Sequence, residues 1–165
     1  MLQPTVRRTW APVGQTPILH SYDRRDRLSA ISAVTVSPRV RRLGLYFDIL
    51  GHNVKTEDFE AFVQRLLRCT GRLLLVLDRY AVHRSAARRL RERFGTRICV
   101  EWLPAYAPEL NPDEQVWNRA KYTDMANFVP RDRNHLGRTL ANSLCDTRGS
   151  PSLLRSFFKH AGLPL

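Results

Sequence analysis

The spacing of apolar residues changes several times along the chain, and each change marks an element. Phe59, Phe62, Val63, Leu66 and Leu67 recur at the three- and four-residue interval of a single helical face. This predicts a helix with Thr56 as N-cap, Glu57 and Asp58 in its first turn, Arg65 and Arg68 near its C-terminal end, and Gly71 as its stop. Leu73–Leu77 is instead an unbroken apolar run, the pattern of a strand buried on both faces. Ser85–Phe94 returns to the helical period, with Ala86, Leu90 and Phe94 inward and Arg84, Arg88, Arg91 and Arg93 elsewhere. Ile98–Trp102 reads as a second buried strand. Strand, helix and strand in that order imply a right-handed parallel crossover.

Upstream, Leu28–Val36 alternates small or polar with apolar residues, and Leu43–Leu50 supplies a further strand of a meander. Thr5–Trp10, a turn at Pro12-Val13-Gly14, and Gln15–His20 read as a strand pair, so that the chain begins inside a sheet. Beyond Lys121 the signal weakens. Residues 129–150 are polar and turn-rich, as a partly ordered linker would be, and Ser152–His160 predicts a last amphipathic helix. There is no internal repeat.

Composition narrows the class. The 165 residues are 43% hydrophobic, which suits one globular core. Lys and Arg total 27 against 15 Asp and Glu, a net charge of +12, and this excess favours a polyanionic partner such as nucleic acid. Most of the basic residues are Arg, which suits bidentate phosphate contacts. Cys69, Cys99 and Cys145 are scattered, with no ligand spacing for zinc, and read as reduced, packed thiols of a cytosolic protein. No apolar run reaches the roughly 20 residues of a membrane helix, and the first residues lack the apolar core of a signal peptide.

Two acids carry the candidate chemistry. Asp78 ends a buried strand, where open α/β sheets bind ligands; it can equally cap the following turn. Glu114 lies at the third position of a helix capped by Asn111 with Pro112 at its first position. A capping box with the Asn111 amide explains it without catalysis. That box does not explain the rigid Pro104-Ala105-Tyr106-Ala107-Pro108 run before it. Together the two carboxylates suggest a magnesium site. Two ions about 3.5–4 Å apart, of the kind that act in phosphodiester displacement, normally need a third acid. Asp113 points roughly 100° away from Glu114 around the helix, and Asp23, Asp26 and Asp48 lie in turn or hairpin contexts. His83 and Arg84 meet a phosphate or sit solvated at the surface. Arg119 and Lys121 track a DNA backbone or form a solvated face. Val116 and Trp117 read as core.

Leu77-Asp78, His83-Arg84-Ser85 and the string from Leu103 to Trp117, with its Leu-Pro-x-Tyr-x-Pro-x-Leu-Asn-Pro-x-Glu pattern, resemble the catalytic region of bacterial insertion-sequence transposases of the mariner-type superfamily. Val6–Pro12 and Gly14–Pro17 resemble the segment after that family's first catalytic strand. The resemblance spans roughly residues 3–125. It implies an α/β, ribonuclease H-like mixed sheet flanked by helices, a DDE triad, and magnesium or manganese with two ions in a complete site. Asp78 matches the second triad acid and Glu114 the third, both as catalytic metal ligands. Arg79 stands where the family often has Asn. The strand that carries the first Asp, and the helix-turn-helix that reads transposon ends, have no counterpart here, so the sheet is expected to lack its first central strand.

The expectation is therefore a partial catalytic domain over residues 1–127 and a C-terminal tail with a helix over 128–165. The chain is read as the C-terminal part of a transposase: a decayed copy, a mis-annotated start, or the downstream product of a split reading frame. The first functional reading is metal-dependent DNA cleavage and strand transfer, incomplete alone. The alternative is a catalytically inactive, basic DNA-binding or assembly module; a ribonuclease H-like nuclease of another kind is a third. Arg7, Arg8, His83, Arg84, Arg119 and Lys121 are the expected DNA contacts. The expected partners are DNA, an upstream split-frame product and a second copy of the chain, without a membrane, in a bacterial cytoplasm at the nucleoid.

Overall fold

The computed structural model describes residues 7–18, 27–163 and 165. The first two regular elements among the described residues are β1 (Ser29–Val36) and β2 (Leu43–Leu50), paired antiparallel with Ser29 opposite Leu50 and Val36 opposite Leu43. Helix α1 (Thr56–Thr70) follows, then β3 (Leu73–Leu77), α2 (Ala81–Phe94) and β4 (Ile98–Trp102). β3 and β4 pair in parallel, Leu73 with Ile98 through Leu77 with Trp102, as the crossover pattern predicts. Helix α3 (Pro112–Arg119), a π turn over Ala120–Asp124, α4 (Arg133–Arg148) and α5 (Pro151–His160) complete the chain.

The sheet is partial. β1–β2 and β3–β4 are separate two-stranded ribbons, with no ladder between them among the described residues. They are nevertheless held by one core. Ile31 of β1 packs in a cluster with Phe59, Phe62 and Val63 of α1, Leu75 of β3, Leu90 of α2, and Ile98 and Val100 of β4. The opposite face of the first ribbon, with Ala30, Val34, Leu45 and Phe47, packs on α3, α4 and α5 through Val116, Leu136, Leu140, Leu144, Leu154 and Phe157. The β1–β2 ribbon thus lies between two helical layers, because both of its alternating faces carry apolar residues.

Several expectations are corrected. β3 is covered on one face only: Leu74 is 63% and Val76 56% exposed, because α3–α5 reach over β1–β2 and not over β3–β4. α1 begins one residue early, with Lys55 in the cap position and its amide donating to the Asp58 carboxylate (2.8 Å) in place of a Thr56 cap. α2 starts at Ala81 and not Ser85, so His83 and Arg84 lie in its first turn. The expected linker at 129–150 is largely helix α4, capped by Asp132, whose Leu136, Leu140 and Leu144 are buried four residues apart. All three cysteines are free, but exposed rather than packed. Of the expected N-terminal strand pair, residues 5–6 and 19–20 lie outside the described residues. Residues 7–18 form no strand; they keep the turn, where the Gln15 amide donates to the Pro12 carbonyl (3.0 Å) and Gly14 takes φ 81°. Asp23 and Asp26 also lie outside the described residues.

Candidate active site

β3 and β4 run in parallel and end side by side, and the Leu103 amide donates to the Leu77 carbonyl (2.8 Å) just past the ladder. This places Asp78 at the open end of the ribbon with its side chain half exposed. Its Oδ1 accepts from the Tyr80 amide (3.0 Å), the turn-capping role open from sequence, and lies 2.5 Å from His83 Nδ1. The His83 ring is fixed from both sides: its centroid is 4.4 Å from that of Phe59, and it meets Tyr80 edge-on at 5.6 Å. His83 therefore orients one oxygen of Asp78. Arg79 Nε donates to the Leu103 carbonyl (3.3 Å) and ties the two strand ends together.

From Leu103 the chain arches through the proline-rich run. Tyr106 takes φ 59°, a left-handed conformation uncommon for an aromatic residue, and its side chain is fully exposed. A short 3-10 turn, Pro108–Leu110, then delivers Asn111 as the cap of α3; its side chain accepts from the Asp113 amide (3.1 Å). The expected capping box does not form. The Asn111 amide donates to the Pro108 carbonyl (3.0 Å), which occupies the donor that Glu114 was expected to meet. Glu114 instead faces a cleft of about 440 Å³ that it lines with Asp78, Arg79, Tyr106 and Asn111.

Asp113 points away from this cleft, as its position on the helix predicts. Its Oδ2 accepts from Ser32 Oγ (2.6 Å) on β1 and from Trp117 Nε1 (3.1 Å), while Oδ1 is shut off from solvent without a partner. Burial, partly opposed by those two hydrogen bonds and reinforced by the neighbouring Glu114 charge, pushes its carboxyl up to about 6.

The expected DNA contacts separate into groups. His83 is engaged with Asp78, and Arg84 is exposed on the first turn of α2. Arg7 and Arg119 line a second cleft of about 400 Å³ with Gln115, Asn118 and Tyr122. There the Arg7 guanidinium lies 5.5 Å from the Tyr122 ring centroid, and Arg119 pairs with Asp124 (3.1 Å). Asn118 is one turn of α3 beyond Glu114, so the two clefts follow each other along that helix. Arg8 is exposed, and Lys121 is half-buried in the π turn.

Among the described residues no three His, Cys, Asp or Glu side chains gather as a metal site, and Asp48 is committed to an ion pair with Arg65. Asp78, which keeps one oxygen outside its two hydrogen bonds, and Glu114 suit one hard cation that retains most of its water. They do not suit the ion pair of a complete two-metal site.

Residues 1–134 match the sequence profile of the family described as DDE superfamily endonuclease. The chain belongs to this family. A solved structure, the crystal structure of the Mos1 strand transfer complex, shares the fold with a TM-score of 0.55 at 15% sequence identity. The alignment covers 98% of this chain and 50% of that one, so the chain spans about half the length of the Mos1 chain it matches. No curated protein sequence matches. The expected ribonuclease H-like, transposase-type architecture is thus present as a partial sheet flanked by helices. Among the described residues no helix is long and apolar enough to cross a membrane.

Sequence reasoning singled out Asp78, Glu114 and His83 but missed how His83 serves Asp78, because it placed the α2 start four residues late. It also set Asp113 aside. The signal that could have identified its role is the apolar and polar alternation of β1, which puts Ser32 on the face that α3 covers.

Proposed function

We propose that this DDE-family chain is a basic DNA-binding and assembly module of transposase type. It presents two carboxylates of a metal site, Asp78 and Glu114, and does not cleave DNA alone. The observation that carries this reading is the one cleft lined by both Asp78 and Glu114, with no group of three metal-ligating side chains among the described residues. A bound magnesium or manganese ion would supply Lewis-acid charge to a phosphodiester there. The protein's own residues do the rest. Asp78 and Glu114 hold the cation, His83 keeps Asp78 turned, and Arg79 fixes the strand ends that frame the cleft. Arg84 on one side, and Arg7, Arg8, Arg119 and Lys121 on the other, contact phosphates, with the +12 charge drawing the duplex in. A complementary segment that brings a further carboxylate, from an upstream split-frame product or a second copy, makes the site competent for cleavage and strand transfer. The edges of β1 and β3, which share one core and carry no further ladder among the described residues, are where an added strand fits.

The test combines anisotropy on mixed-sequence duplex DNA with a magnesium-dependent nicking assay. The expected result is salt-sensitive binding without cleavage. Robust cleavage by the chain alone refutes the incomplete-site reading, and binding indifferent to salt refutes the DNA interface.

A further inference from the structure

We propose that Asp113 is a positioning residue that fixes Glu114 in the cleft by clamping the first turn of α3 to β1; the inference rests on the reading of Asp78 and Glu114 as a metal pair. Three observations converge. Asp113 Oδ2 accepts from Ser32 Oγ at 2.6 Å across 81 positions of sequence, a side-chain bond that joins the cleft helix to the sheet. The same oxygen accepts from Trp117 Nε1 at 3.1 Å, one turn further along α3, which holds the Asp113 side chain in the orientation that meets Ser32. The cap at Asn111 is set by its own bonds to Pro108 and the Asp113 amide, and it does not tie α3 to the strands.

α3 is only eight residues long, from Pro112 to Arg119, and follows the exposed arch through Tyr106. Val116 beneath it is fully buried and Trp117 packs against the same core, so both resist lifting of the helix; the directional bond to Ser32 adds a fixed angle of rotation about the axis. Asp113 and Glu114 are adjacent and about 100° apart around that axis. Any rotation that breaks the Ser32 bond therefore swings Glu114 relative to Asp78. The role predicted for Oδ2 is that of an acceptor shared by two donors; Oδ1 takes no part. An amide oxygen does this work as well as a carboxylate, so Asp113→Asn preserves the clamp, whereas Asp113→Ala and Ser32→Ala break it.

The experiment measures two quantities on the intact chain and these three variants: amide hydrogen exchange by segment, and Mn²⁺ affinity by electron paramagnetic resonance. Ser32→Ala and Asp113→Ala are expected to speed exchange over residues 112–119 about tenfold, the equivalent of one hydrogen bond, and to leave α1 and α4 unchanged. They are expected to weaken Mn²⁺ binding several-fold, with Asp113→Asn exchanging no faster than the parent and close to it in Mn²⁺ affinity. Exchange in α3 unchanged by Ser32→Ala, or acceleration spread evenly over α1 and α4, overturns the clamp. Faster exchange in α3 with unchanged Mn²⁺ affinity overturns the positioning of Glu114. A parent chain that binds no Mn²⁺ defeats the metal-pair reading instead, and the exchange data still decide whether the clamp exists. If Asp113→Ala does not fold, Ser32→Ala and Asp113→Asn carry the comparison.

Discussion

Replacing Asp113 by Asn should stabilise the protein at neutral pH and leave its stability at pH 4 almost unchanged. Burial is the main cause that lifts the Asp113 carboxyl from 3.8 to about 6, against the pull of Ser32 and Trp117. The folded state therefore binds the proton more tightly than the unfolded chain does. The sign follows: below about pH 3.8 both states are protonated and there is no penalty. As pH rises from about 3.8 to about 6 the unfolded state ionises while the folded state still holds the proton, so stability is lost over that interval and the loss is complete above about 6. At about 1.4 kcal/mol per pH unit the interval amounts to about 3 kcal/mol, an upper figure because the residue is only half-buried overall. Asn carries no charge at any pH and keeps an acceptor for both donors. Urea unfolding of the two proteins followed by circular dichroism from pH 4 to 7.5, in EDTA to exclude metal, reads the difference. The Asn variant should gain on the parent between about pH 4 and 6 and hold that gain to pH 7.5. A stability difference that stays flat between pH 4 and 6, or one that favours the parent at pH 7.5, refutes the assignment of a desolvated carboxylate.

Other outcomes follow from the same structure. Affinity for mixed-sequence duplex should fall log-linearly with salt, and Arg84→Ala should lower the slope by about 0.9 without changing sequence preference, measured by anisotropy titrations at several salt concentrations. Leu140→Ala should cost about 2–5 kcal/mol in urea melts, because Leu140 is fully buried against the β1–β2 ribbon; a cost near zero would mean that α4 is not part of the core. His83→Ala should reduce Mn²⁺ affinity with little loss of fold, since it frees the Asp78 carboxylate to rotate; calorimetry of metal binding beside a thermal melt separates the two effects.

What could be read in advance depended on whether one local pattern decided the outcome. In α1 five apolar residues at helical spacing, with Gly71 at φ 78°, leave one solution, and all five are buried. For β3, five consecutive apolar residues specify a strand but not what covers its second face; that depends on where α3–α5 dock, which is a tertiary choice. α4 was obscured because Leu136, Leu140 and Leu144 are separated by Asn, Arg, Ser and Thr. The cap at Asp132 and the four-residue interval were nonetheless present. At the site, strand-end and helix-start positions were enough to bring Asp78 and Glu114 to one cleft. Local pattern failed at Glu114's capping box because the competing donor bond, from the Asn111 amide to Pro108, arises from a 3-10 turn that the prolines impose. The Ser32–Asp113 bond joins residues 81 apart, beyond any local signal.

The central claim is that Asp78 and Glu114 act as one site. The most direct measurement is a Mn²⁺ titration by electron paramagnetic resonance of the parent chain, Asp78→Asn, Glu114→Gln and the double variant. One ion per parent chain is expected, with a large loss in either single variant. Little further loss is expected in the double, because two ligands of one ion are strongly coupled. Single variants that bind like the parent, or losses that simply add, would contradict it.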